Sequence, residues 1–362
     1  MNGLQQLINQ LCPNGVEWKT LGEVCEMQRG TSLTKANSIE GEYPVISGGK
    51  EPAFYCNQYN REGETITIAG SGAGAGFVQY WNQKIFVNDA FSMKGSDNLS
   101  VRYLYYCLQN LQEQIYATKK GGGVPHVHIS DVKGFQIPLP PLAIQSRIVE
   151  ILDHFTNLTA NLTAELALRR KQFEHFREKL LSLDGVEKGE MKKLGEVCKL
   201  ERGRRVVKSE LAESGLIPVF QNCLQPLGYY DKSNRDAFTA FVICAGAAGE
   251  IGYSNVPFWC ADDCFTVSHE KNVDSKYIFY FLQTKQTFIK SKVRKAGVPR
   301  LDHKVVEGII ISVPPLAVQQ SIVAKLDKFT ALIQNIENEL ALRQKQYEYC
   351  REKLLSFPSP SL

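Results

Sequence analysis

The sequence predicts an α+β protein: two globular domains separated by two long antiparallel coiled-coil helices, arranged as a pseudo-twofold internal repeat. Two observations carry this expectation. The stretch at residues 140–182, PPLAIQSRIVEILDHFTNLTANLTAELALRRKQFEHFREKLLS, returns at residues 314–356 as PPLAVQQSIVAKLDKFTALIQNIENELALRQKQYEYCREKLLS, with no gap and more than half its positions identical. A repeat of this kind decides the plan of a molecule before any local reading does. Each copy also carries a heptad seam. In the first it runs Ile148, Leu152, Phe155, Thr159, Leu162, Leu166, Arg169, Phe173, Phe176, Leu180, and in the second Ile322, Leu326, Phe329, Ile333, Ile336, Leu340, Arg343, Tyr347, Cys350, Leu354. A seam sustained over more than four heptads marks a coiled coil rather than an ordinary surface helix.

The opening prolines suit a first helical turn, where a missing N–H costs nothing, and no Gly or further Pro interrupts either segment. Some 40 residues of helix give a rod of roughly 60 Å. Each seam is apolar on one side, so each helix needs a partner, and an antiparallel pairing of the two copies is the natural one. Leu152, Phe155, Leu162, Leu166 and Phe173 are the expected pairing residues of the first helix, and Leu326, Phe329, Ile336, Leu340 and Tyr347 those of the second. Two unrelated amphipathic helices of one bundle would not share surface runs such as ELALR and REKLLS.

The repeat extends into the globular parts. Leu-Gly-Glu-Val-Cys recurs at 21–25 and 194–198, and in each copy Arg-Gly comes after it, at 29–30 and 202–203. Tyr43-Pro44-Val45 matches Ile217-Pro218-Val219, Asp89-Ala90-Phe91 matches Asp263-Cys264-Phe265, and Gly123-Val124-Pro125 matches Gly297-Val298-Pro299. The expected layout is therefore a first domain at 1–139, helix at 140–183, linker at 184–190, second domain at 191–313, helix at 314–356 and a frayed tail at 357–362. Leu4, Leu7, Ile8 and Leu11 predict a short amphipathic helix at the start. Alternation and β-branched content predict strands at 65–69, 85–88, 135–139, 240–245, 265–268 and 309–313. One helix is expected at 101–114, and again at 276–288. Between shared landmarks the two halves diverge, as if one scaffold presented two different surfaces.

At 362 residues, 43% hydrophobic and 22% charged, the chain has an ordinary globular composition with room for two or three domains. No stretch approaches a membrane span, and the first residues lack the basic lead and apolar run of a secretory signal. The ten cysteines are scattered, and Cys260 and Cys264 have no second pair at zinc-finger spacing. They read as reduced structural thiols of a cytoplasmic protein. A net charge of +4 points to no particular partner, but the excess sits in the second half, in two clusters. One is Arg202, Arg204, Arg205 and Lys208; the other contains Lys292, Arg294, Lys295 and Arg300. The first half has Lys119 and Lys120, with Arg29, Lys35, Lys50 and Arg61 spread out. Such runs are ordinarily solvated faces.

Gly70-Ser-Gly-Ala-Gly-Ala-Gly76 comes after a predicted strand, but no Gly-Lys-Ser/Thr succeeds it and the next residues read as strand. A phosphate-binding or dinucleotide loop needs a helix there. The stretch and its counterpart at 245–252 therefore read as hairpin-type turns. Lys119-Lys120 with Val124-Pro125-His126 and Lys295 with Val298-Pro299-Arg300 place basic residues around a fixed turn, where cations can neutralise phosphates and His126 or Arg300 can reach base edges. Because Arg300 replaces His126 and Asp302 replaces His128, the histidines are not expected to hold a metal. Gln79, Trp81, Gln221 and Asn222 are further recognition candidates, although such residues are often plain edge-strand or turn surface. No paired-acid, Walker or methyltransferase motif stands out, so no catalytic residue is expected.

The Leu-Gly-Glu-Val lead, the Val-Pro turn, the Pro-Pro-Leu-Ala-x-Gln opening of each long helix and its Lys-Leu-Leu end resemble the specificity subunit of a type I restriction-modification system. The resemblance covers essentially the whole chain. It implies two target-recognition domains, each reading one half of a bipartite double-stranded DNA sequence, with the helices setting the spacer and docking two methyltransferase subunits. It implies a non-catalytic chain without cofactors of its own; S-adenosylmethionine, ATP and Mg belong to the methyltransferase and restriction partners. Two other classes are consistent with the residues alone: a coiled-coil scaffold without DNA specificity, and a small-molecule enzyme built around the glycine turns.

Overall fold

The structure, a computed structural model, describes residues 2–182, 189–269 and 272–358. In chain order the first half forms α1 (Asn2–Leu11), β1 (Trp18–Thr20), α2 (Leu21–Val24), β2 (Cys25–Arg29), β3 (Tyr43–Ile46), β4 (Phe54–Cys56), β5 (Glu64–Ala69), β6 (Val78–Asn82), β7 (Phe86–Val87), β8 (Ala90–Gly95), α3 (Val101–Asn110), α4 (Gln112–Ala117), α5 (Ile129–Val132), β9 (Gln136–Pro138) and the long α6 (Leu142–Ser182). The second half continues with β10 (Glu190–Lys193), α7 (Leu194–Val197), β11 (Cys198–Arg202), β12 (Ile217–Phe220), β13 (Gly228–Tyr230), β14 (Thr239–Ile243), β15 (Ile251–Ser254), β16 (Trp259–Cys260), β17 (Cys264–His269), α8 (Ser275–Thr284), α9 (Gln286–Ser291), α10 (His303–Glu307), β18 (Ile310–Val313) and the long α11 (Leu316–Leu355). The two series match element for element after α1.

The sheets repeat as well. A four-stranded sheet ordered β2-β8-β5-β6 has its counterpart in β11-β17-β14-β15; the three-stranded β4-β3-β7 has β13-β12-β16; the pair β1-β9 has β10-β18. All neighbours are antiparallel except β3 with β7 and β12 with β16. The Arg-Gly that ends the first long strand of each half explains its own recurrence. A Cβ on Gly30 would lie 2.1 Å from the Asn88 carbonyl oxygen, and on Gly203 2.0 Å from that of Ala261, so only glycine lets these backbones pass.

The chain divides into two compact units: residues 1–163 with 338–362, and residues 164–337. Both division points fall inside the long helices, so each unit holds one globular domain, the first part of one long helix and the last part of the other. Within the first unit, sheet residues Ile66, Ile68, Phe91 and Met93 pack against Tyr103, Leu104 and Leu108 of α3 and against Ile148 and Leu152 of α6. Leu354 and Leu355 of α11 close the same core. Within the second unit, Val242, Phe265 and Val267 meet Ile278 and Leu282 of α8, Ile322 and Leu326 of α11, and Leu181 of α6. In both units the long helices run antiparallel, since the beginning of one lies with the end of the other.

The Gln of Pro-Pro-Leu-Ala-x-Gln bolts each helix to its domain. Gln145 is fully buried. Its Oε1 accepts the Ser100 N–H at 2.9 Å, while Nε2 donates to the Asn98 and Pro140 carbonyls, both at 2.8 Å. Gln319 repeats this with the Asp274 N–H at 2.8 Å and the carbonyls of Asn272 and Pro314 at 3.1 and 2.8 Å. A buried amide with every group paired tolerates no apolar replacement.

Four details depart from the sequence expectation. The helices expected at 101–114 and 276–288 each break in two, at Leu111 and Lys285, whose backbones leave helical geometry with ψ of 4° and 2°. In the first unit the break lets Gln112 turn back, donating to the Gly76 carbonyl at 2.8 Å and accepting from the Val78 N–H at 3.1 Å. Phe176 is 38% exposed yet keeps its expected place in the seam, stacking on Phe329 of the other long helix with ring centres 5.3 Å apart; Leu181, outside the expected seam, is buried. A helix drifts from a strict heptad over several turns, which turns Leu181 into the core of the second unit. Phe173 and Tyr347, expected to pair the helices, also pack on domain helices, with rings 6.2 Å from Tyr280 and 6.5 Å from Tyr106. Phe357, assigned to a frayed tail, is buried against Leu4 and Leu354, because it is the next apolar residue after the helix end and the core has room for it. Residues 184–188 of the expected linker and 359–362 of the tail lie outside the described residues. Of the other pairing residues, Leu152, Leu166, Leu326 and Ile336 are buried, and Phe155, Leu162, Phe329 and Leu340 half-buried.

Candidate nucleic-acid interface

In each unit the glycine turn and the Val-Pro segment are stitched into one lip. The turn joins β5 to β6, and positive φ at Gly72 (79°) and Gly76 (83°) closes it. Residues 120–126 form a small hairpin, with Lys120 N–H to His126 C=O at 3.0 Å and His126 N–H to Lys120 C=O at 2.8 Å. Two further bonds tie hairpin to turn: Gly72 N–H to Pro125 C=O and Val127 N–H to Gly70 C=O, each 3.0 Å. The second unit repeats the set with Arg294 and Arg300 (2.9 and 3.1 Å), Gly246 to Pro299 (3.2 Å) and Leu301 to Cys244 (2.8 Å). The hairpin tips project Val124 and Val298, both more than half exposed.

The loop after the first strand of the three-stranded sheet joins this lip from the side. Gly74 N–H donates to Gly48 C=O at 3.1 Å, and Ala247 N–H to Asn222 C=O at 2.9 Å. The loop brings Lys50 next to Gln79, whose Nε2 donates to the Lys50 carbonyl at 2.6 Å. In the other unit it brings Gln221 and Asn222. Between the lip and the end of the first long strand lies an open cleft. In the first unit it holds about 630 Å³ and is lined by Arg29, Ser32, Thr34, Asn88, Asp89, His126 and His128. In the second it holds about 350 Å³ between Arg202, Cys244, Arg300, Asp302 and His303.

The chemistry of the two clefts differs. In the first, Arg29 Nη2 sits 3.3 Å from His128 Nδ1, the rings of His126 and His128 lie parallel with centres 6.0 Å apart, and Ser71 donates to Asp89. This mixed lining offers donors and acceptors together. The second cleft is framed by two arginines. Arg204, Arg205, Lys208, Arg294, Lys295 and Arg300 are exposed and form no ion pair among the described residues. An exposed cation without a carboxylate partner is free to neutralise a phosphate and so release counterions condensed on a nucleic-acid backbone. Lys35, in a single 3-10 turn, is the first unit's counterpart of Lys208 and is equally exposed. Lys292 and Lys119 lie over aromatic rings, Phe288 at 5.4 Å and Tyr116 at 4.1 Å. Lys120 pairs with Asp131, and that hydrogen bond holds the carboxyl of Asp131 below its ordinary range.

Two candidates have other work. Arg61 bonds into the fold and does not line the cleft. Its Nε donates to Ser92 Oγ at 2.7 Å, Nη1 to the Asn60 carbonyl at 2.6 Å and Nη2 to the Arg29 carbonyl at 3.0 Å. Burial lowers its pKa. Arg235 makes the same three bonds to Thr266 (2.7 Å), Asn234 (2.7 Å) and Arg202 (3.1 Å). A guanidinium spent this way is a brace. Trp81 is half-buried against Ile46, Ile85 and Val87, and its indole N–H donates to Thr67 Oγ1 at 2.9 Å. The sequence reading missed Asn88, Asp89 and His303 as cleft residues; the recurrence of Asp89 as Asp263 was the available signal, read only as framework.

Among the described residues no cluster of His, Cys, Asp and Glu is arranged to hold a metal, all ten cysteines are free, and no helix is long and apolar enough to cross a membrane.

Comparison with known proteins matches this architecture. The type I restriction modification DNA specificity domain matches twice, at residues 13–168 and 187–342. The chain is 32% identical to the specificity subunit of the Escherichia coli type I restriction enzyme EcoR124I/EcoR124II, covering 95% of both chains. It is 31% identical to a protein assigned as a type I restriction enzyme specificity subunit in Haemophilus influenzae, covering 94% of this chain and 96% of that one. Its fold resembles that of a type I S subunit from M. genitalium, with a TM-score of 0.75 at 21% identity over 95% of this chain and 97% of the other. It also resembles a chain of a type I restriction-modification system with a TM-score of 0.57 at 18% identity, over 95% and 98%. Two copies of one domain, matched across most of the chain, place this protein in the type I restriction-modification DNA specificity family.

Proposed function

We propose that this chain reads a bipartite, gapped sequence in double-stranded DNA, each unit's lip and cleft contacting one half-site, and that its long helices set the gap and dock two methyltransferase subunits. The observation that carries this reading is the contrast between a duplicated frame and two unlike lips. Two copies of one scaffold suit two half-sites on one duplex, and unlike linings, His126 and His128 against Arg300 and Asp302, suit an asymmetric target. In this reading the chain performs no chemistry. Adenine methylation with S-adenosylmethionine belongs to the methyltransferase subunits, and ATP- and Mg-dependent cleavage to restriction subunits, in the cytoplasm. The lip residues position the duplex through phosphates and read base edges with the few side chains that reach them.

Co-expression with the cognate methyltransferase subunit in a host free of adenine methylation, with sequencing of the modified bases, tests it. One asymmetric motif with a fixed gap is expected. Deleting one helical turn from each long helix is expected to shorten that gap. An assembled complex that methylates nothing would favour a scaffold instead.

A further inference from the structure

Each unit carries a second polar cluster, at the junction of domain and long helices. Asp153 Oδ1 of α6 accepts from Arg102 Nε at 2.8 Å and is ion-paired with Nη2 at 2.7 Å. It also accepts the Tyr106 hydroxyl, which lies 3.2 Å from Thr156 Oγ1. The Arg102 guanidinium stands 4.4 Å from the ring centre of Tyr80 on β6. One cluster thus ties the sheet, α3 and α6 together, with Tyr347 of α11 against Tyr106. The second unit rebuilds it. Asp327 of α11 accepts Lys276 Nζ at 2.9 Å and Tyr280 at 2.6 Å. The Tyr280 hydroxyl lies 3.3 Å from Thr330 Oγ1, and Lys276 lies 5.5 Å over Tyr253.

Apolar side chains would pack such a junction without the cost of partly desolvating a carboxylate and a cation. Charge-assisted hydrogen bonds add direction: they are met at one docking angle and lost at others. That angle matters on a duplex. One extra base pair moves a half-site by about 3.4 Å along the axis and by roughly a tenth of a turn around it.

We infer that Asp153 with Arg102 and Tyr106, and Asp327 with Lys276 and Tyr280, are positioning residues that hold each recognition domain at one angle on the long helices. The accepted gap is then set at these two elbows as well as by helix length. This rests on the reading of a gapped target proposed above.

The test uses the full chain with its methyltransferase partner and reads the distribution of gap lengths among methylated sites. Asp153→Ala is expected to keep the same bases in both half-sites while methylation at gaps one base pair longer or shorter rises about tenfold relative to the parent gap, the factor that corresponds to about 1.4 kcal/mol. Arg102→Lys installs the cation that the second unit uses and is expected to keep a single gap. Assembled Asp153→Ala complexes confined to the parent gap overturn the inference, as does loss of all methylation from a complex that still melts like the parent. Should Asp153→Ala fail to fold, Tyr106→Phe removes only one hydroxyl and is expected to broaden the gap more weakly; an unchanged gap there also overturns it. A parent complex without any gapped motif defeats the underlying reading instead.

Discussion

The two units share their bones and differ at their lips. Arg61 and Arg235 make the same three hydrogen bonds. Asn60 and Asn234 each grip a backbone from both sides, with Nδ2 to a carbonyl at 2.9 Å and Oδ1 to an N–H at 2.7 Å. At the lip the agreement ends: Gly70 corresponds to Cys244, Lys50 to Leu224, Gln79 to Gly252 and His126 to Arg300. Positions whose hydrogen bonds are satisfied inside the fold are held fixed by the cost of leaving a buried partner unpaired. Positions that point outward carry no such cost and are where two readers of different sequences can diverge.

That contrast predicts which substitutions act on both units alike. The largest effect is expected at the braces. Arg61→Ala and Arg235→Ala each remove these three hydrogen bonds, Arg235→Ala also a longer fourth one and an ion pair to Glu201, and each leaves a buried hydroxyl, Ser92 or Thr266, without its donor, so each is expected to cost roughly 3 kcal/mol. Thermal unfolding of the complex should show nearly equal losses; a large loss at one site and none at the other would break the equivalence. Next come Gln145→Leu and Gln319→Leu, expected to cost about 2 kcal/mol each, since a buried N–H and two carbonyls lose their partners. The same melting experiment checks this.

The lip should behave in the opposite way. Arg300→Ala is expected to leave the melting temperature unchanged and to lower the slope of log affinity against log salt by about 1, as loss of one phosphate contact does. His126→Ala is expected to alter base preference in its half-site with less change in slope. Titrating the assembled complex against its motif at several salt concentrations distinguishes them. Equal slopes for both variants would mean that the two lips engage DNA by the same chemistry.

Much of the fold was legible because duplication and hydrophobic period are properties of the chain itself. The heptad seam located both long helices, and the glycine turns with strand-like flanks were readable as hairpins. Arg61 was misplaced because the sequence shows a charge but not the groups that the charge meets. Its neighbour could have corrected this: Asn60-Arg61 recurs as Asn234-Arg235, and a pair preserved between two otherwise diverging surfaces marks framework. Trp81 misled for the same reason, since Thr67, which satisfies its indole N–H, lies on the neighbouring strand. Phe173 and Tyr347 fit the heptad and also serve the domain–helix junction, a tertiary contact that period cannot encode. The clefts were invisible beforehand, because their walls come from the end of one strand, the strand-joining residues 88 and 89 and a hairpin far along the chain.

The central claim is that one frame carries two independent readers. The most direct measurement replaces the second recognition domain, residues 191–313, with a copy of the first, residues 18–139, and sequences the bases methylated by the resulting complex. The account predicts a gapped motif whose halves are inverted repeats of the parent's first half-site. A motif still containing the parent's second half-site would contradict it.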